Sequence, residues 1–432
     1  MNDSWGNIYQ AEQQHYVLRS RRAEVPNIDT GSMLPIGQRR SYGDVGINDG
    51  GYVLDATLLR RFISFDIETG VLRCEAGVTL WEVLRVIVPH GWFLPVTPGT
   101  SFVTVGGAVA NDVHGKNHHI AGSFGCFVRR FELRRATGDI LECSPNEESD
   151  YFAATIGGCG LTGLITWVEF SLKKIVNPSL QVESIAYHNY DEFLALSTES
   201  ERSHEYTVSW IDCLASGIHT GRGVFLRANH IELPFDLEYS KKRSQRSVPE
   251  IIGKGFPLVN RFSLLAFNRL YMVQNSGRRT YTESFAKYFY PLDSLLDWNR
   301  IYGRRGFYQF QCVVPFESAT AISDLLDEIS RSGQGSFLSV LKTMGDSLSP
   351  GLISFPRPGV TLALDFPNRG SKTLSLLERL EAMVVEAGGA IYPAKDAVMS
   401  ATTFRHCFPA LDKFSNYIDP EFSSSFWRRV NP

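Results

Sequence analysis

"PGTSFVTVGGAVANDVHGKNHHIAGSFG", residues 98–125, decides how the rest of the chain is read. It holds six glycines, three histidines and one lysine, and neither a strand's alternation nor a helix's three-to-four spacing runs through it. Core-building segments need a regular apolar period. This one offers small side chains and exposed backbone N–H groups, which can converge on an anion. A second stretch of the same kind, "GQRRSYGD" (37–44), also follows an apolar, strand-like segment. Two such loops facing each other would cradle a pyrophosphate, with His114 and Lys116 projecting toward a ring system.

Two competing readings are weaker. "GCGLTG" (158–163) fits the pattern GxGxxG, but the segment before it reads as helix and the one after it as strand. A nicotinamide site requires the opposite order. His114 and His118 are four apart and would need a third metal ligand, for which Asp112 and His119 are the local candidates. No resident metal is expected.

The bulk composition sets limits around these loops. At 432 residues the chain should form two domains. A net charge of −3 argues against a general nucleic-acid binder. Seven cysteines at irregular spacing suit a reducing compartment. The polar first twenty residues and the lack of any long apolar run predict a cytoplasmic protein, touching a membrane only from outside.

Residues 37 to about 172 alternate short strands and glycine-rich turns with a few helices, one of them near Leu80–Pro89. Beyond Lys174, "FYQFQCVVPF", "FLSVLKTMG" and "GVTLALDFP" read as strands. "SATAISDLLDEISRSG" and "KTLSLLERLEAMVVEAGG" read as amphipathic helices ended by glycine. This predicts an α+β arrangement, with helices covering one face of an antiparallel sheet. Period-two geometry points Gln309 and Gln311 to one face of their strand, and two amides with Lys342 make a set suited to sugar hydroxyls. Residues 240–282 alternate basic and apolar groups with poor periodicity, and a mobile lid that meets a membrane surface is expected there.

Together with "RSYGD" (40–44), "GLTG" (160–163), "YPLD" (290–293), "DFP" (365–367) and "YPAKD" (392–396), the opening stretch resembles the FAD-binding oxidoreductases of the vanillyl-alcohol oxidase and p-cresol methylhydroxylase superfamily. The resemblance runs from about Gly37 to Trp427. It implies an FAD-binding domain in two parts, residues 1–172 and a returning segment 391–432, around a substrate domain at 173–390. It also implies non-covalent FAD, because Tyr42 and Thr100 stand where relatives that attach flavin carry histidine or cysteine.

The cofactor residues it implies are Arg40, Ser41, Tyr42, Gly43 and Asp44 in the first loop. In the second loop they are Gly99, Thr104, Val105, Gly106, Gly107, Asn111, Asp112, Val113, His114 and Lys116. Ile165 and Tyr392 join them from elsewhere. Lys395 would lie beside flavin and substrate carbon as the catalytic base, with His114 next in line. Tyr290 and Trp210 match aromatic pocket positions. Thr361 and Ala363 stand where relatives carry asparagine and a cysteine targeted by covalent inhibitors.

The implied reaction is FAD-dependent oxidation of a secondary sugar hydroxyl. The first expectation is a polyprenyl-phosphate-linked ribose, taken to a 2-keto intermediate as the first half of an epimerisation to arabinose. A short-chain reductase would act next, and quinone or oxygen would accept the electrons. A free sugar, alditol or aldonolactone is the alternative substrate. A flavin-binding protein without catalysis is the reading from another class.

Overall fold

The computed structural model describes residues 4–26, 28, 31–233, 246–247 and 259–431. Of the segment expected to form a lid, residues 240–245 and 248–258 lie outside the described residues.

The first half of the chain builds two larger sheets and a short two-stranded pair. Strands Gln14–Val17, Tyr52–Asp55 and Met33–Ile36 pair in parallel. A five-stranded antiparallel sheet runs in the order Phe62–Asp66, Val71–Glu75, Leu164–Ser171, Val128–Arg134, Ile140–Cys143. Leu164–Ser171 is central and almost wholly buried, as its apolar run requires. The expected helix is Leu80–Ile87, opened by Thr79 and Glu82 in a reciprocal capping box. "GCGLTG" follows the helix Ser149–Thr155 and precedes the strand Leu164–Ser171, the order that excludes a nicotinamide-type turn.

The second half is organised on eight antiparallel strands. Their order is Arg278–Glu283, Leu180–Tyr187, Gly223–His230, Tyr206–Ile211, Ser339–Met344, Gly359–Pro367, Phe307–Val314, Ala390–Ile391. One face is apolar: Phe310, Cys312, Leu341, Leu362 and Leu364 share a core with residues of the helices Thr320–Ser332 and Ser371–Glu386. Those helices bury Ile322, Leu325 and Ile329, and Leu376, Leu380 and Val384, at the three- and four-residue spacing read from the sequence.

The residues of opposite parity form the other face. Register sets Gln309 opposite Asp365, Gln311 opposite Ala363, Lys342 opposite Thr361, and Trp210 opposite Val340. Polar groups thus meet on one side because alternate residues of adjacent strands must point the same way.

After Ala390–Ile391 the chain leaves the sheet edge and returns to the first half. Met33 N–H donates to the Glu421 carbonyl at 2.7 Å, and the Arg429 guanidinium bonds both Asp44 and Asp396 at 2.8 Å. Besides several short helices, two longer ones escape the sequence expectation, Tyr190–Ser200 and Arg261–Gln274.

Candidate active site

Between the glycine-rich loops and the polar sheet face lies a cavity of about 630 Å³, within the range typical of ligand pockets. Its walls come from both halves of the chain.

The two loops touch. A Cβ on Gly37 would fall 2.2 Å from Thr104 Oγ1, so only glycine permits the approach. Thr104 caps the helix Val105–Ala110, its hydroxyl accepting from Gly107 N–H at 3.1 Å. The first loop also presses on the tail, since a Cβ on Gly43 would meet the Asp396 carbonyl oxygen at 1.7 Å. Residues after Gly99 are pinned by Asp293, which accepts from Ser101 N–H at 2.8 Å and its hydroxyl at 2.6 Å.

On the sheet side, Gln311 Nε2 donates to His114 Nε2 at 2.8 Å and to Thr361 Oγ1 at 3.4 Å. The His114 ring packs 5.2 Å from Tyr392 and 5.5 Å from Phe355. The Tyr392 hydroxyl donates to the Asn111 carbonyl at 2.8 Å, and its N–H to Gln311 O at 2.9 Å. Lys342 Nζ donates to the Gly115 carbonyl, and Lys116 Nζ to the Tyr288 carbonyl. Lys395 holds its ammonium 3.8 Å from the centre of the Tyr42 ring. Asp365, fully buried, accepts from Gln309 Nε2 at 2.7 Å and from the Tyr302 hydroxyl at 3.2 Å.

Arg40, Ser41, Tyr42, Gly99, Thr104, Gly106, Gly107, Asn111, Val113, His114, Lys116, Ile165 and Tyr392 line the cavity. So do Lys395, Lys342, Gln309, Gln311, Trp210 and Ala363. Six residues expected at the site lie off its walls, each for a local reason. Asp44 is bound by Arg429, and Asp112 accepts from Gly125 N–H at 2.8 Å. Val105 belongs to the core beneath its helix, and Gly43 is spent on the approach to Asp396. Tyr290 turns its hydroxyl to Thr97 at 2.6 Å, while Thr361 sits behind Gln311. Sequence reasoning missed Asp365, whose signal was a carboxylate in an otherwise apolar strand. It also missed Trp5, which lies 4.2 Å beneath the Arg40 guanidinium.

Burial sets the electrostatics. It lowers Lys116 and Lys342 to about 7, with Lys116 adding to the effect on Lys342. It drives His114 well below the usual imidazole range, helped by the charges of Lys342, His118 and Lys395. Lys395 is likewise lowered by burial, and the carboxylate of Asp365 works against that fall. An anion in this enclosure would restore the charge of these lysines and be held by it. Among the described residues no group of three or more His, Cys, Asp or Glu could hold a metal ion.

The cavity suits FAD. Arg40 Nε, Asn111 Oδ1, His114 Nδ1 and Gln309 Oε1 are buried without a partner among the described residues, and all four residues line this space. At Gly46 and Gly99, also in its wall, an added Cβ would meet nothing within 4 Å, so the backbone lies open to a ligand. The loop residues would hold the pyrophosphate, and His114, Lys116 and Tyr392 the ring system.

Comparison with known proteins agrees. Residues 27–144 match the family model described as an FAD binding domain. The chain is 35% identical over 408 residues to decaprenylphosphoryl-beta-D-ribose oxidase of Mycolicibacterium smegmatis, covering 91% of this chain and 88% of that protein. It is 31% identical over 368 residues to an uncharacterized protein of Streptomyces coelicolor, covering 82% of this chain and all of the other. A shorter stretch of 114 residues is 31% identical to human Delta(24)-sterol reductase, 26% of this chain and 22% of that one. Among the described residues no helix is long and apolar enough to cross a membrane.

Proposed function

Because the chain belongs to the family of FAD-binding oxidoreductases that includes decaprenylphosphoryl-β-D-ribose oxidase, we propose that it oxidises a secondary hydroxyl of a polyprenyl-phosphate-linked pentose. Ribose is the substrate the relative's name favours, and its 2-keto form is the product we infer. When bound, FAD supplies the acceptor for the hydride that leaves the carbinol carbon.

The chain's own task is the proton. Lys395, lowered to about 7 by burial, can give up its proton near neutral pH, and its Nζ in the amine form takes the hydroxyl proton as the ketone forms. Gln309, Gln311 and Lys342 on the sheet face orient the remaining hydroxyls, and His114 is fixed by Gln311 to donate from Nδ1. The reading rests above all on the placement of Lys395, buried at the junction of both loops and the polar face.

The flavin is held without a covalent bond, since Tyr42 and Thr100 offer no customary attachment. Acid precipitation should therefore release all yellow colour. A short-chain reductase completes the epimerisation, and quinone or oxygen regenerates the flavin. The domains divide at 1–172, 173–390 and 391–432.

Anaerobic bleaching of the flavin by a panel of free and lipid-linked sugars tests the proposal. Rapid bleaching by lipid-linked ribose supports it. Bleaching only by a free sugar, alditol or aldonolactone would move the activity there, and no bleaching by any would leave a flavin-binding protein.

A further inference from the structure

The helix Arg261–Gln274 has two apolar faces. Phe267 and Tyr271 point inward and line the cavity, where Tyr271 packs 4.4 Å from Trp210. Phe262, Leu265, Leu270 and Val273 point the other way, and are 84, 45, 56 and 64% exposed. At 100° per residue these four fall within one stripe, with Arg269 inside it and Arg261 at its edge. A folded domain has no reason to hold such a stripe in water.

Its chemical surroundings say what covers it. From Val259 to Thr282 there is no aspartate or glutamate, and although Arg278 is paired with Glu183 of the neighbouring strand, Arg261 and Arg269 lie on the helix itself beside the stripe. An apolar stripe on a helix that carries arginines and no acid complements lipid chains beneath anionic headgroups. A second copy of the chain fits poorly, because a two-fold contact would set the same arginines against one another. Leu295 and Leu296 add position: both line the cavity and are also exposed, so its mouth is apolar too.

We propose that the outward face of the helix Arg261–Gln274 docks on an anionic lipid bilayer, while its inward face forms a wall of the substrate cavity. This rests on the lipid-linked substrate proposed above. The sugar then enters while its carrier stays in the bilayer, the polyprenyl chain passing Leu295 and Leu296 at the mouth. One helix thus serves the membrane and the pocket at once.

The test is sedimentation of the flavin-loaded protein with vesicles of phosphatidylcholine alone and of phosphatidylcholine mixed with phosphatidylglycerol. The wild-type protein should pellet with the mixed vesicles and much less with the neutral ones. Phe262→Ser with Val273→Ser, and separately Arg261→Glu with Arg269→Glu, should each weaken that binding roughly tenfold or more. Both variants should keep their flavin and their melting temperature. Wild-type protein left in the supernatant with both vesicles overturns the proposal, as does a variant that pellets like wild type. So does a dimer that the substitutions dissolve while vesicle binding is unchanged. The sedimentation contains no substrate, so vesicle binding alongside failure to oxidise any lipid-linked sugar would sink the substrate reading and leave the docking face standing.

Discussion

Gln311 Nε2 donates to His114 Nε2 at 2.8 Å, joining the polar sheet face to the glycine-rich loop. The bond makes Nε2 an acceptor, so the proton of the neutral ring lies on Nδ1, which has no partner among the described residues. Gln311→Leu should leave a buried acceptor unsatisfied and cost about 1–3 kcal/mol. Thermal unfolding checks the loss. Slower flavin reduction at unchanged FAD content would show that the ring is held for the reaction as well as for the fold.

Lys395→Met should keep FAD and lose flavin reduction by roughly a hundredfold or more, the usual contribution of a positioned acid–base group. Its ammonium sits against the Tyr42 ring, so methionine can fill the space without losing a hydrogen bond known among the described residues. Stopped-flow reduction under anaerobic conditions measures the effect. Near-normal rates would place the base elsewhere.

Asp365→Asn tests how the lysine is tuned. Tyr42, Asp365 and His114 are titratable groups near Lys395, and Asp365, itself pushed up to about 7 by burial, raises the lysine's proton affinity when charged. Removing that charge lowers the lysine further, so the free amine persists to lower pH. The acidic limb of the rate of flavin reduction should move downward, with bound FAD unchanged. A limb that stays put would place the base elsewhere.

Stability should carry a pH signature from Lys342. Burial lowers its folded-state value to about 7, against the ordinary lysine value of 10.5 expected when unfolded. The folded form therefore bears the full penalty below about 7 and loses it as pH rises toward 10.5. Between roughly pH 7 and 9 the flavin-free protein should gain about 2 kcal/mol from this group. Lys342→Met removes that slope. Denaturant melts of both proteins at the two pH values give the difference, and parallel behaviour would refute it.

Local periodicity made the sheet face readable from the sequence. Gln309, Gln311 and Lys342 were legible because alternation on a strand fixes direction without knowledge of the partner strand. The glycine loops were legible because they have no period at all. The helix Arg261–Gln274 was not, since one face serves the cavity and the other is exposed, and two apolar faces erase the amphipathic signal. Asp44 shows the other limit. Its neighbours "RSYG" place it at the cofactor, while Arg429, 385 positions away, claims its carboxylate. Likewise nothing near Tyr290 announces that Thr97 will bond its hydroxyl.

The clamp of Arg429 on Asp44 and Asp396 has a bearing on biosynthesis. Asp44 leaves the ribosome early, but the group that compensates its buried charge is translated some four hundred codons later. Until then the first loop carries an unneutralised carboxylate, and Lys395 has no scaffold. The first loop should therefore reach its final shape only after Arg429 has emerged, late in synthesis.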